Sequence, residues 1–155
     1  MLQALLIGAG VLLCSLLCYA LATALIVGMV VRVLHEDHGE LGFWRGVGIM
    51  MIVTLITAVT HLIEIALWAI VLLLCGEMAT FETAFYVSAE NYTALGYGDI
   101  VPSQRWRLLG PLEAINGLLL FGLSTAVLFA VLNRLMAHHF RHQHAHRADG
   151  QVQND

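Results

Sequence analysis

What most limits the folds open to this chain is a set of three long stretches almost free of charge. Residues 4–31 and 114–133 contain no Asp, Glu, Lys or Arg, and residues 47–75 are interrupted only by His61 and Glu64. A helix needs about 20 apolar residues to cross the hydrocarbon core of a bilayer, so each stretch is long enough to span. Hydrophobic residues make up 59% of the chain and charged ones 12%, against roughly half and a quarter in a soluble domain. That excludes a water-soluble enzyme, a disordered segment and a coiled coil. Seven basic residues against eleven acidic ones, with no basic run, argue against nucleic acid as a partner.

The expected fold is therefore an all-α membrane protein with three transmembrane helices. The first stretch is too long for a signal peptide and has no basic residue in Met1-Leu2-Gln3, so it reads as a span. Cys14, Cys18 and Cys75 lie in or beside spans and have neither metal-site nor disulfide-framework spacing. Arg32 and Arg45 in the first loop share a side with Arg134, Arg141 and Arg147, and Arg105 and Arg107 lie opposite. Positive charge favours the cytoplasm. The expectation is an N-terminus outside and a C-terminus inside.

Between the second and third stretches, residues 77–107 are too polar to span and too patterned for a plain loop. Residues 80–92 predict a short helix, with Thr80 as N-cap, Glu82 in its first turn, and Phe81, Ala84, Phe85 and Ser88 on one face. Such a helix must enter the bilayer and turn back. Thr93-Ala94-Leu95-Gly96-Tyr97-Gly98-Asp99 follows it. Two glycines flanking an aromatic open backbone angles closed to other residues. Alternating conformations can then aim successive carbonyls to one side. The preceding helix points the negative end of its dipole at the same place.

This run resembles the selectivity filter of the potassium-channel superfamily, T-x-x-G-Y-G-D. The order of span, short helix, filter and span is similar to that family's pore domain. The resemblance implies a pore domain over 47–136, with outer helix 47–75, pore helix 80–92, filter 93–98 and inner helix 106–136. An additional N-terminal helix, 1–34, would pack peripherally, and a His-rich tail, 137–155, would follow. It implies a homotetramer in membrane lipid that conducts K+ passively. Carbonyls of Ala94, Leu95, Gly96 and Tyr97 would replace the ion's water shell. No enzyme activity, small-molecule substrate or cofactor is expected beyond K+ as the permeant ion. The localisation implied is a plasma membrane.

The family usually has Thr-Val where this chain has Ala94-Leu95. Ala94 brings no hydroxyl to the innermost ion site, so weaker binding there is expected with potassium still preferred. The same departure keeps open an alternative, a non-conducting or regulatory subunit that reuses the pore fold. By resemblance, Glu90 and Asp99 support the filter and meet behind it; the other reading is a Glu90 that faces water. Gly117 and Gly122 are a gating hinge or a close-packing surface. Leu118, Phe121 and Thr125 share the face expected to line the cavity.

Thr54, Thr57, His61, Glu64 and Trp68 recur at helical spacing, a polar stripe within a span. Ionisable groups at that depth are costly and must face protein. They make either an interhelical hydrogen-bonded clamp or a proton- or metal-responsive pair, and the missing third ligand favours the clamp. His138, His139, His142, His144 and His146 form a solvated tail or a pH- or metal-responsive one.

Overall fold

A computed structural model describes residues 1–36 and 43–152. It contains four helices in order, α1 (Leu2–Glu36), α2 (Phe43–Leu74), α3 (Phe81–Tyr92) and α4 (Leu109–Val152), and no strand among the described residues. Three of them, over Leu2–His35, Trp44–Leu74 and Leu109–Ala137, are long and apolar enough to cross a membrane. The chain is a multi-pass, all-helical membrane protein. Side chains facing outward, such as Leu6, Leu13, Leu17 and Leu21 on α1 and Leu55 and Leu62 on α2, are exposed on the single chain, as lipid-facing or subunit-facing positions must be.

Two apolar clusters hold the bundle. One joins Ala4 and Tyr19 of α1, Ile65, Trp68 and Leu72 of α2, Val87 and Tyr92 of α3, and Leu109 and Leu120 of α4. The other lies at the opposite end and joins Ile26 and Val30, Ile49 and Val53, and Val131 and Leu135. The second cluster places the end of α1 and the end of the apolar part of α4 beside the start of α2, as alternating spans require. At the first end, Arg105 donates to Gln3 Oε1 at 2.7 Å. Nearby, the Ser103 N–H and hydroxyl both donate to the Glu77 carboxylate, at 2.6 and 2.8 Å.

The helix boundaries follow from local chemistry. Thr80 is extended, and its hydroxyl accepts the N–H of Thr83, capping α3. At the end of α2, Gly76 has φ 73°, its N–H bonds Leu73 O, and the Glu77 N–H reaches back to Leu72 O. This is the paired left-handed cap that glycine favours. Residues 104–108 are turns rather than helix, so α4 starts three residues later than expected. Pro111 sits in its first turn, where a missing N–H costs nothing.

Two boundaries differ from expectation at the other end. α2 begins at Phe43 rather than 47, because Trp44 and Val47 extend its apolar run back past Gly46. α4 does not stop at 136 but continues as helix to Val152. Its polar extension contains no proline, and no glycine before Gly150, so nothing local ends the helix. The side chains of the tail histidines, and residues 37–42 with Asp37, His38 and Glu40, lie outside the described residues.

Gly117 and Gly122 are not equivalent. A Cβ on Gly117 would stand 1.9 Å from the backbone oxygen of Tyr92, whereas one on Gly122 would meet nothing within 4 Å. Gly117 therefore sits where α4 crosses the end of α3, and α4 runs unbroken through both positions. Gly117→Ala should destabilise the fold by about 1–3 kcal/mol despite the better helix propensity of alanine. Gly122→Ala should be neutral or stabilising by up to about 1 kcal/mol. Thermal unfolding of the detergent-solubilised protein measures both; equal effects would remove the packing role assigned to Gly117.

Candidate functional site

The last turn of α3 builds the segment that follows it. Beyond Tyr92 the chain caps the helix in the same way as Gly76 caps α2, but with Ala94 in the left-handed position, at φ 56°. The Ala94 N–H bonds Asn91 O and the Leu95 N–H bonds Glu90 O, both at 2.9 Å. The Gly96 N–H also points at Glu90 O, at 3.4 Å. Thr93 adds its N–H and its hydroxyl to Ala89 O, at 3.1 and 2.7 Å. The carbonyls of Ala89, Glu90 and Asn91 at the end of α3 are thus closed by the N–H groups of the loop itself.

After the cap, Gly96 and Gly98 also have left-handed φ values, 57° and 73°, so positive φ recurs at every second residue from 94 to 98. Leu95 and Tyr97 between them do not share it. Among the described residues no hydrogen bond is made to the carbonyls of residues 94–98. Residues 93–100 are all exposed on the single chain, with Tyr97 at 71%. An alternating backbone with free carbonyls is what the expected filter residues Thr93, Ala94, Leu95, Gly96, Tyr97 and Gly98 need for cation binding.

Behind this loop, Glu90 and Asp99 make no direct hydrogen bond. The Tyr86 hydroxyl donates to Asp99 Oδ2 at 3.1 Å and also lies within reach of the Glu90 carboxylate one turn along α3. Glu90 itself is buried, with Oε1 lacking a protein partner. Tyr86, which precedes Glu90 by one turn of α3, is thus the residue that bonds Asp99. Asp99 also accepts the N–H of Ile100 at 3.0 Å, which fixes the turn that leaves the loop.

The polar stripe of α2 splits by height. Thr54 is exposed and bonds only its own helix, at Met50 O, while Thr57, His61, Glu64 and Trp68 are buried. His61 Nδ1 lies 2.8 Å from the Tyr92 hydroxyl and Nε2 lies 2.7 Å from Ser124 Oγ. Ser124 is also 2.8 Å from the Tyr19 hydroxyl. Glu64 accepts a hydrogen bond from Ser15 of α1, and Ser15 accepts one from Asn116 of α4 at 2.7 Å. Near the α3–α4 crossing, Asn91 donates to the fully buried Glu113 at 3.3 Å.

The clamp reading of His61 and Glu64 therefore describes the contacts, and it joins all four helices. No group of three His, Cys, Asp or Glu side chains suited to a metal occurs among the described residues. The first helix is peripheral on its outer face only: Ser15 and Tyr19 are buried in this network. Sequence reasoning missed Ser15, Tyr19, Tyr86, Tyr92, Glu113, Asn116 and Ser124. A signal was present, since Ser15 and Tyr19, and Glu113, Asn116 and Ser124, recur at helical spacing opposite the α2 stripe.

The expected cavity face is divided as well. Leu118 and Thr125 are exposed on the single chain. Phe121 is 38% exposed, but its ring lies 4.5 Å from the His61 ring and 5.5 Å from the Tyr92 ring, centroid to centroid. It covers the His61 contact as much as it faces outward, because the α4 rotation that buries Ser124 turns Phe121 toward α2.

No solved structure matches the chain. A family model described as an ion channel matches residues 58–134, about half of the sequence, from the second half of α2 through α3 and the loop to the apolar part of α4. With three helices able to span, a short helix returning into the bundle and an alternating carbonyl loop inside the matched region, the chain belongs to this ion-channel family.

Proposed function

We propose that four copies of the chain assemble about an axis and pass K+ selectively through the carbonyls of Ala94, Leu95, Gly96 and Tyr97. The observation that carries this reading is the recurrence of left-handed φ at Ala94, Gly96 and Gly98 within a T-x-x-G-Y-G-D run. One such loop cannot surround a cation, and its exposed backbone needs protein or water around it at membrane depth. Copies of itself supply both. Carbonyl rings then substitute for hydration water, and ions advance by mutual repulsion between adjacent sites. The dipole of α3 adds negative potential at its C-terminal end, where the filter begins.

In this assembly residues 47–136 form the pore unit, with α4 inside and α2 outside it. Leu118 and Thr125, with the exposed edge of Phe121, line the cavity below the filter. Glu90, Asp99 and the intervening Tyr86 brace the filter from behind. Bending of α4 during opening takes place at Gly122, which is free of contacts, rather than at Gly117. The arginine distribution supports a cytoplasmic C-terminus and an outside N-terminus in a cell membrane.

Ala94 has a second consequence. The left-handed cap disfavours β-branched side chains, so the Thr usual at this position would disturb the turn while adding its hydroxyl. Ala94→Ser adds the hydroxyl without the branch, and Ala94→Gly relieves about 1 kcal/mol of backbone strain without adding a ligand. Block by barium from the inner side should tighten in Ala94→Ser and not in Ala94→Gly. Equal block in both would remove the inner-site role of this position.

The decisive measurement is rubidium or thallium uptake into potassium-loaded liposomes containing the purified protein. Uptake that barium blocks and that Gly96→Ala lowers is expected, since Gly96 has φ 57° and takes a side chain there only with strain. Protein that assembles but carries no ion leaves the alternative, a non-conducting or regulatory subunit. Uptake unaffected by Gly96→Ala would place the pathway elsewhere.

A further inference from the structure

We infer that His61 is a positioning residue for the selectivity filter, acting through the Tyr92 hydroxyl on the turn of α3 that carries the filter. The inference rests on the conducting reading above. Tyr92 is the last residue of α3, and the two residues before it, Glu90 and Asn91, supply the carbonyls that receive the filter N–H groups of Ala94, Leu95 and Gly96. A side chain that fixes Tyr92 fixes the angle at which the filter leaves the helix. His61 does this from α2, and its other nitrogen is held by α4.

Counting donors gives the direction of every bond in the chain. Ser124 has one hydroxyl proton, and it goes to Leu120 O at 2.8 Å. Ser124 Oγ therefore accepts from both the Tyr19 hydroxyl and His61 Nε2. With the proton on Nε2, a neutral imidazole has a lone pair at Nδ1, and the Tyr92 hydroxyl donates to it. All donors are used, and no atom of these four side chains is left over. Phe121 lies against the ring and shields the contact from the exposed face of α4. The order is specific: one tautomer of one histidine satisfies α1, α3 and α4 together.

The two ends of the imidazole can be separated by substitution. Asn places its amide near the Nδ1 position and Gln places its amide near Nε2, so His61→Asn keeps the Tyr92 end and His61→Gln keeps the Ser124 end. The readout is the K+/Na+ permeability ratio from reversal potentials of the full-length protein in planar bilayers. A merely structural clamp lowers the number of active channels without changing that ratio. Tyr92→Phe and His61→Gln should each lower the ratio by about three- to tenfold, the scale of one lost hydrogen bond. The double variant should be no worse than either single one. His61→Asn should stay within about twofold of the native chain.

Nitrogen NMR of the histidine-labelled protein gives an independent check: a protonated Nε2, and an Nδ1 signal that moves in Tyr92→Phe but not in Ser124→Ala. If Tyr92→Phe fails to assemble, the contrast between the two His61 variants decides the matter. A native ratio in Tyr92→Phe, or identical ratios in His61→Asn and His61→Gln, overturns the inference and leaves the channel reading standing. A native chain that conducts nothing overturns both.

Discussion

Backbone polar groups have no water to turn to inside a bilayer, and everything distinctive about this chain follows from how it handles them at the end of α3. A helix that stops at membrane depth exposes its last carbonyls. Here those carbonyls are closed by the N–H groups of the loop that leaves the helix, at Ala89, Glu90 and Asn91. That solves one half of the accounting. The N–H groups of residues 93–96 go to the helix, and the carbonyls of residues 94–98 stay free along an alternating backbone. An unpaired carbonyl in a membrane is costly unless something positive or wet meets it. The same turn that ends the helix therefore leaves a row of unpaired carbonyls beyond it.

The turn that does this is strained. At the end of α2 the left-handed position is filled by Gly76, whereas the end of α3 places Ala94 there. A side chain in that conformation costs on the order of 1 kcal/mol, and such strain survives only where the surroundings hold it. The surroundings are Gly117, which lets α4 touch the Tyr92 carbonyl, and the His61–Tyr92 contact on the other side. The α3 terminus is held from both flanks, by a missing side chain and by a hydrogen bond.

The buried network also gives the first helix a reason to exist. Its mostly exposed surface is that of a lipid-facing span, yet Ser15 bonds one oxygen of Glu64 and the Tyr19 hydroxyl bonds Ser124. Without α1, the Glu64 carboxyl group would lose its bond from Ser15 in the middle of the bundle. A buried polar group without a partner costs far more than an extra helix face contributes in lipid. The helix that precedes the matched region is thus tied into its hydrogen bonding.

Hydropathy and local backbone chemistry made the spans, the Thr80 cap, the short returning helix and the glycine-bearing loop after it legible from the chain itself. Each depends on residues a few positions apart, so a linear reading suffices. The existence of a polar stripe on α2 was legible too, but its partners were not. Which residue meets His61, whether Tyr86 stands between Glu90 and Asp99, and whether Gly117 bends or packs all depend on the rotation of each helix about its own axis. Likewise, Phe121 shares a face with Leu118 and Thr125 in sequence, yet its ring turns toward His61. Periodicity assigns residues to a face and leaves the direction of that face open. In a bundle whose sides are almost uniformly apolar, the few buried hydrogen bonds and close glycine crossings such as Gly117 set that direction, and these exist only once the helices are packed.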